Sequence, residues 1–537
     1  MAFVLAALDS VNALNEKEFL KLDSWVYKMI LNSAKSKCIS GCDLSPDSMV
    51  AVYSANILYG AASKNRELFE LGKREFQKYL SERNVSKVGE GIRNTNEVMH
   101  HAIIASDVLQ KNGIKNNTIY FYLGLIYSEL NDFNKSILNY TEYLKFDPDS
   151  KSALFNLAIA KQSIGKIDSA KDIYLKLITL EKNNIRPYFS LLMLDINFLT
   201  NEHYQYINKI KKNDQISLYE KSLVYFILAK IAQKNKNYKN EIKNLKNFNI
   251  NSFNSNFTYN KSSQFYHNEI INKFYNKIQF TNIQNTPKNN TPIFIIGLPR
   301  SGSTLIESLL TSSDQAVKTC AESHVINMSI LEQVGPKIFS KNFDPNKFIF
   351  EINQAKLENS ILKRYNNFNV INTNLNFTFI DKSLENFFNI EIILKIFPNA
   401  KFLHTFRDSI DSVISIYQSM LPELSWTHKI EDILDYINNY KKIINYFKIK
   451  YPNIILDIDL KKFTNEAEEN GKRIYEFCNL KWNKKYLEFY KRKDLYSKTI
   501  SFNQIRKKIS IYDIKKYRPY VDLLDSYKNK YEWLKDT

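Results

Sequence analysis

The sequence has little of what interrupts regular structure. Its 537 residues include only 12 glycines and 12 prolines, which excludes a turn-rich sandwich and predicts long regular elements, chiefly helices. Four cysteines, Cys38, Cys42, Cys320 and Cys478, are too few for a disulfide framework. Cys38 and Cys42 fall one helical turn apart, yet no second Cys/His pair completes a metal site. No run of 18 apolar residues occurs, so no membrane span is expected. Met1 to Leu8 is apolar but short, lacks a basic flank and runs into Asp9, unlike a signal peptide. The expectation is a reducing, cytoplasmic setting.

Charge of one sign is in excess. Lys and Arg number 75 against 56 Asp and Glu, a net charge of +19. Such a balance favours anionic partners. The lysines are spread along the whole chain with no concentrated basic tail. This points to a surface drift in composition containing local phosphate sites, and not to a nucleic-acid binder. Hydrophobic residues make up 44% of the chain, enough for packed interiors and too many for general disorder.

The chain length implies several domains, read as a helical region over 1–110, helical repeats over 111–250, a helical linker over 251–290 and a second domain over 291–537. A 34-residue repeat begins at Asn117. Gly124, Tyr127, Ser136, Tyr140 and Pro148 mark the first copy, and Ala158, Lys161, Ala170, Tyr174 and Lys182 take their places in the second. Small residues recur where two helices must approach closely, and an aromatic recurs where it can fill the gap to the next helix. The pattern resembles the tetratricopeptide repeat. Weaker units follow to about residue 250, and stacking of such units predicts an α-solenoid. Its concave surface is one candidate seat for a peptide or protein partner.

Pro292 to Leu310, PIFIIGLPRSGSTLIESLL, reads as a buried strand, a loop and an amphipathic helix from Ser303. That order places backbone N–H groups and the positive helix end around one anion. Gly297 and Gly302 are spaced as in the nucleoside-triphosphate P-loop, but Ser303 stands where that loop has Lys, followed by Thr304. Without this Lys a Mg²⁺-bound triphosphate is poorly served. The cation of the loop is instead Arg300, whose planar fork suits an oxyanion. A second strand, Ala400–Phe406, ends in Arg407-Asp408 and leads into a helix from Ser409 that carries Asp411 and Ser415. Arg407 and Ser415 can converge on one phosphate.

Pro299-Arg300-Ser301-Gly302-Ser303-Thr304 resembles the 5′-phosphosulfate loop of sulfotransferases. Arg407-Asp408-Ser409-Ile410-Asp411-Ser412-Val413-Ile414-Ser415 resembles their 3′-phosphate motif, with Ser409 where the family often has Pro. Asp381-Lys382-Ser383-Leu384-Glu385-Asn386-Phe387 resembles a DKxPxNF segment of bacterial repeat-containing sulfotransferases, which are related to the protein-tyrosine sulfotransferases. The resemblance implies an α-helical repeat region followed by a P-loop-like α/β domain with a parallel sheet. It implies 3′-phosphoadenosine 5′-phosphosulfate as sulfuryl donor, no metal, and transfer to an acceptor hydroxyl, with a protein or peptide tyrosine as first candidate.

The same resemblance implies roles for single residues. Lys382 would stabilise charge on the departing phosphate, and Glu322 would take the acceptor proton. His324 is the alternative base, because small-molecule sulfotransferases use His. Thr499–Arg506 and Lys516-Tyr517 resemble the segment that closes over the donor, with Ser501, Gln504 and Lys516 as donor contacts. The family's Tyr before an acidic-Leu pair is absent, and Ile458-Asp459-Leu460 stands there. Two rival classes remain: a P-loop kinase or ATPase, disfavoured by Ser303, and a helical scaffold with a decayed catalytic half.

Overall fold

The computed structural model describes residues 118–129, 132–276, 291–315, 317–338, 352–368, 370–371, 378–492, 506–513 and 516–535. The expected 1–110 helical region, Ser501 and Gln504 lie outside these residues. The chain divides into two compact units, one ending at Glu181 and the other beginning at Lys182.

In the first unit, two helical hairpins carry the repeat: α1 (Thr118–Glu129) with α2 (Phe133–Leu144), and α3 (Lys151–Ser163) with α4 (Ile167–Leu180). The small-residue positions mark close approach. A Cβ added at Gly124 would fall 2.7 Å from the Tyr140 ring, and the Ser136 hydroxyl donates to the Gly124 carbonyl at 2.8 Å. Tyr140 and its counterpart Tyr174 are fully buried. Tyr174 donates to the Gln162 side chain at 3.1 Å, so burial does not strand its hydroxyl.

The second unit opens with helices Ile185–Leu194 and Asn201–Lys211. The antiparallel pair α5 (Leu218–Lys234) and α6 (Tyr238–Ser255) follows. Ser217 caps α5 through a reciprocal Ser–Glu220 box, which satisfies two otherwise unpaired groups at the helix start. No described helix is long and apolar enough to cross a membrane.

Five parallel strands form the sheet beyond residue 291: β1 (Ile293–Gly297), β2 (Lys318–Thr319), β3 (Phe379–Asp381), β4 (Lys401–Phe406) and β5 (Ile455–Asp459). Their spatial order is β2-β3-β1-β4-β5. Every residue of β1 is buried, as a central strand covered on both faces must be, and its sequence is accordingly a continuous apolar run. Ile293 and Ile295 join a core with Ile306, Leu309, Leu403, Ile458 and Phe463. Phe294 points to the opposite face, where its ring stacks on Phe402 at 5.5 Å. Two helices matter most for the site: α7 (Ser303–Leu310) after β1 and α8 (Ser409–Tyr417) after β4.

Candidate functional site

Parallel strands deliver their following loops to one edge, and ligands of such sheets bind there. All five strands do so here. β1 and β4 are neighbours in register, Gly297 facing Thr405, so the loop of Arg300 and the corner of Arg407 leave the sheet side by side. A Cβ on Gly297, whose φ is +147°, would lie 2.2 Å from the Thr405 carbonyl oxygen. The Ser301 and Thr405 hydroxyls are 2.8 Å apart and tie the loop to β4. Gly302, at φ +91°, stands at the start of α7. Ser301 and Ser303 are buried, while Pro299, Arg300 and Thr304 are partly buried. Arg300 holds φ +67°, a conformation that costs an L-residue roughly 1–3 kcal/mol and concentrates at functional loops.

Arg300 and Arg407 act on each other. Burial, then the Arg407 charge, lower the Arg300 pKa, and Tyr517 partly opposes them. Arg407 is itself buried and donates to the Asp411 carbonyl at 2.9 Å and to the Tyr517 hydroxyl at 3.5 Å. Tyr517 is also hydrogen-bonded to Ser415. Arg407 and Ser415 therefore meet at one point, which the Tyr517 hydroxyl marks. Burial works to raise the Tyr517 pKa, but Arg407, Lys516 and these hydrogen bonds outweigh it and hold the phenol below its usual value. Asp408 caps α8, accepting from the Ile410 and Asp411 N–H groups, because its carboxylate reaches two unpaired donors at the positive helix end.

The other half of the edge holds the expected base and lysine. Lys382 follows β3 and is fully buried. Its ammonium lies 2.7 Å from a Glu322 oxygen and 3.5 Å from Glu307 of α7. Burial works against the charge, but Glu307 and Glu322 outweigh it and raise the pKa. Thr319 fixes Glu307 from the other side, donating at 2.6 Å. His324 is two residues from Glu322 but belongs to a different pair, with Nδ1 3.1 Å from Glu385. Burial lowers its pKa, yet the Glu385 hydrogen bond and charge, with Asp381 and Glu322 behind them, push it up to about 9. Ala321 and His324 hold φ of 50° and 51°, so this loop too is held in strained backbone.

Residues 292–484 match the profile described as "Sulfotransferase family", and 118–150 and 152–184 match the tetratricopeptide repeat. Residues 292–484 form a sulfotransferase-family domain. An uncharacterised protein of Aquifex aeolicus is 24% identical over 396 residues, which are 70% of this chain and 49% of that protein. The chain thus spans about half the length of that relative. Among solved structures, the sulfotransferase domain of the Synechococcus PCC 7002 olefin synthase is 16% identical (45% of this chain, 91% of that one, TM-score 0.28). A sulfotransferase domain of the curacin biosynthetic pathway is 14% identical (46% and 99%, TM-score 0.27). The sulfotransferase STF9 of Mycobacterium avium is 15% identical (44% and 77%, TM-score 0.27).

Two residues at the site were not singled out from sequence. Asp381 is a fully buried carboxylate whose oxygens accept from Ser323 (2.7 Å), Tyr365 (2.8 Å), the Ser383 N–H (2.8 Å) and Asn386 (3.3 Å). It pins the 321–324 loop to the segment bearing Lys382, and its sole sequence signal was its place beside Lys382. Tyr517 had its signal in Lys516, the neighbouring expected contact. Lys516 lies 5.3 Å from the Tyr517 ring centroid and thus belongs to the Arg407 side of the site. A cavity of ≈ 200 Å³ opens beside Arg407, walled by Leu298, Phe406 and Tyr440 and bordered by Lys441 and Lys448.

Proposed function

We propose that this protein transfers a sulfuryl group from 3′-phosphoadenosine 5′-phosphosulfate to an acceptor hydroxyl, with a protein or peptide tyrosine as the favoured acceptor. The observation that carries this reading is the pair of strand-to-helix corners on neighbouring β1 and β4, with Arg300 and Arg407 within electrostatic reach of each other. Two separate anion seats suit a nucleotide with a charged group at each end. A triphosphate would be served by one loop with Lys at position 303, which is Ser here.

Glu322 takes the acceptor proton as the acceptor oxygen bonds to sulfur. The bond between sulfur and the 5′-phosphate oxygen breaks, and 3′,5′-adenosine diphosphate leaves. Lys382 and Arg300 stabilise the charge that develops on that phosphate. Glu322 is favoured over His324 as base because a group with pKa about 9 is already protonated at neutral pH. A tyrosine acceptor is favoured by the tetratricopeptide repeats, which suit a polypeptide partner.

Binding of 3′,5′-adenosine diphosphate and of Mg²⁺-ATP, followed by transfer of labelled sulfate from the donor onto peptide and small-molecule pools, tests this reading. Preference for 3′,5′-adenosine diphosphate and label on tyrosine support it. Mg²⁺-dependent ATP binding without affinity for 3′,5′-adenosine diphosphate supports a kinase or ATPase. Donor binding with no transfer to any pool supports a decayed scaffold.

A further inference from the structure

Lys230 lies on α5, far in sequence from every motif of the site. Its ammonium donates to the Gln418 carbonyl at 3.0 Å, just past the end of α8, the helix that starts beside Arg407. Glu241 of α6, fully buried, holds the same corner together. It accepts from Gln233 at 2.8 Å, Gln418 at 3.0 Å and Tyr520 at 2.7 Å. These bonds join α5, α6, α8 and the C-terminal segment Arg518–Tyr527 into one buried polar network. Lys230 is therefore held in place, half-buried at this corner.

Its charged neighbours are unusual. Burial lowers the Lys230 pKa to about 8; Glu241 resists this, and the positive charges of Lys516 and Arg300 add to it. Arg300 in turn feels Arg407. Four cations from four parts of the chain thus share one neighbourhood, with Glu241 the carboxylate acting on Lys230. A helix staple needs no charge: a neutral amide would donate to the Gln418 carbonyl without repelling Arg300 and Lys516. Cations gathered at such a cost are compensated when an anion arrives.

We propose that Lys230 is a ligand of the donor nucleotide's phosphate groups, so that helix α5 forms part of the donor pocket. This rests on the sulfuryl-transfer reading above. It adds to that reading a donor contact from outside the sulfotransferase-family domain, supplied by the helices that precede it.

The test is calorimetric titration of the full chain with 3′,5′-adenosine diphosphate and with adenosine 5′-monophosphate. Lys230→Met weakens 3′,5′-adenosine diphosphate binding by at least about tenfold, the worth of a lost charge-assisted hydrogen bond, in a protein that still unfolds cooperatively without ligand. Lys230→Arg stays within about threefold, since the charge remains. Lys234→Met, at an exposed site on the same helix, binds normally. Wild-type affinity in folded Lys230→Met overturns the inference. Absence of 3′,5′-adenosine diphosphate binding by the unaltered protein sinks the sulfuryl-transfer reading itself.

Should Lys230→Met not fold, Lys230→Gln, whose neutral amide can still donate to the Gln418 carbonyl, takes its place: it weakens 3′,5′-adenosine diphosphate binding by the same factor, and wild-type affinity overturns the inference.

Discussion

Lys382 and Glu322 meet in a 2.7 Å ion pair whose ammonium is fully buried and whose carboxylate is half exposed. Glu307 of α7 and Glu322 together keep Lys382 cationic in a place where burial alone would neutralise it. In the proposed reaction the pair would link two roles needed at once, a base for the acceptor and a cation for the leaving phosphate.

Glu322→Gln keeps a hydrogen-bond partner for Lys382 but cannot take a proton. Turnover falls by about 10²–10⁴-fold, the usual worth of a general base, while affinity for 3′,5′-adenosine diphosphate stays within a few-fold. Labelled-donor transfer and calorimetry on the same preparation check this, and near-normal turnover removes Glu322 from the mechanism.

Lys382→Met leaves Glu307 and Glu322 without the cation between them. Transfer falls by at least about 10²-fold, and urea unfolding shows a loss of stability, because a carboxylate stripped of its buried partner is costly. A variant as stable and as active as the parent contradicts the assigned role.

The His324–Glu385 pair gives a pH signature. The folded pKa of about 9 lies above the 6.5 of an ordinary histidine, so the folded state holds the proton more tightly. The pair's stabilisation is complete below about pH 6.5 and is lost as pH rises through about 9. Melting temperatures of the parent decline across that window. His324→Gln removes this part of the decline, and an identical profile in the two proteins contradicts the pairing.

Gly297→Ala tests the corner between β1 and β4. The added methyl meets a backbone carbonyl at 2.2 Å at φ +147°, and backbone cannot yield as a flexible side chain does. A destabilisation of at least about 2 kcal/mol is expected from strain and displacement, together with weaker binding of 3′,5′-adenosine diphosphate. Unaltered denaturant unfolding contradicts the packing described here.

What the sequence revealed, and what it concealed, follows from locality. Ile293–Ile296 announced a buried central strand, because a strand covered on both faces is apolar throughout. Gly297 and Gly302 announced a tight strand-to-helix loop, because a turn at positive φ takes glycine, and the structure holds them at φ +147° and +91°. Gly124, Ser136 and Tyr140 announced a helix pair for the same reason, and the structure brings all three into contact. Insertion of β3 between β1 and β2 left no local trace, since strand order depends on distant pairing. Asp381 looked like part of a motif, yet its four hydrogen bonds come from residues 321–324 and 365 as well as its own segment. Lys230 read as one lysine among many on a helix.

The central claim is that Arg300 and Arg407 serve opposite ends of one nucleotide, and isothermal titration of the parent, Arg300→Ala and Arg407→Ala proteins tests it most directly. The parent prefers 3′,5′-adenosine diphosphate over adenosine 5′-monophosphate by at least about tenfold, as a lost charged contact would cost. Arg407→Ala abolishes that preference, while Arg300→Ala weakens both ligands and preserves it. Equal affinity of the parent for the two ligands, or a preference untouched by Arg407→Ala, contradicts the account.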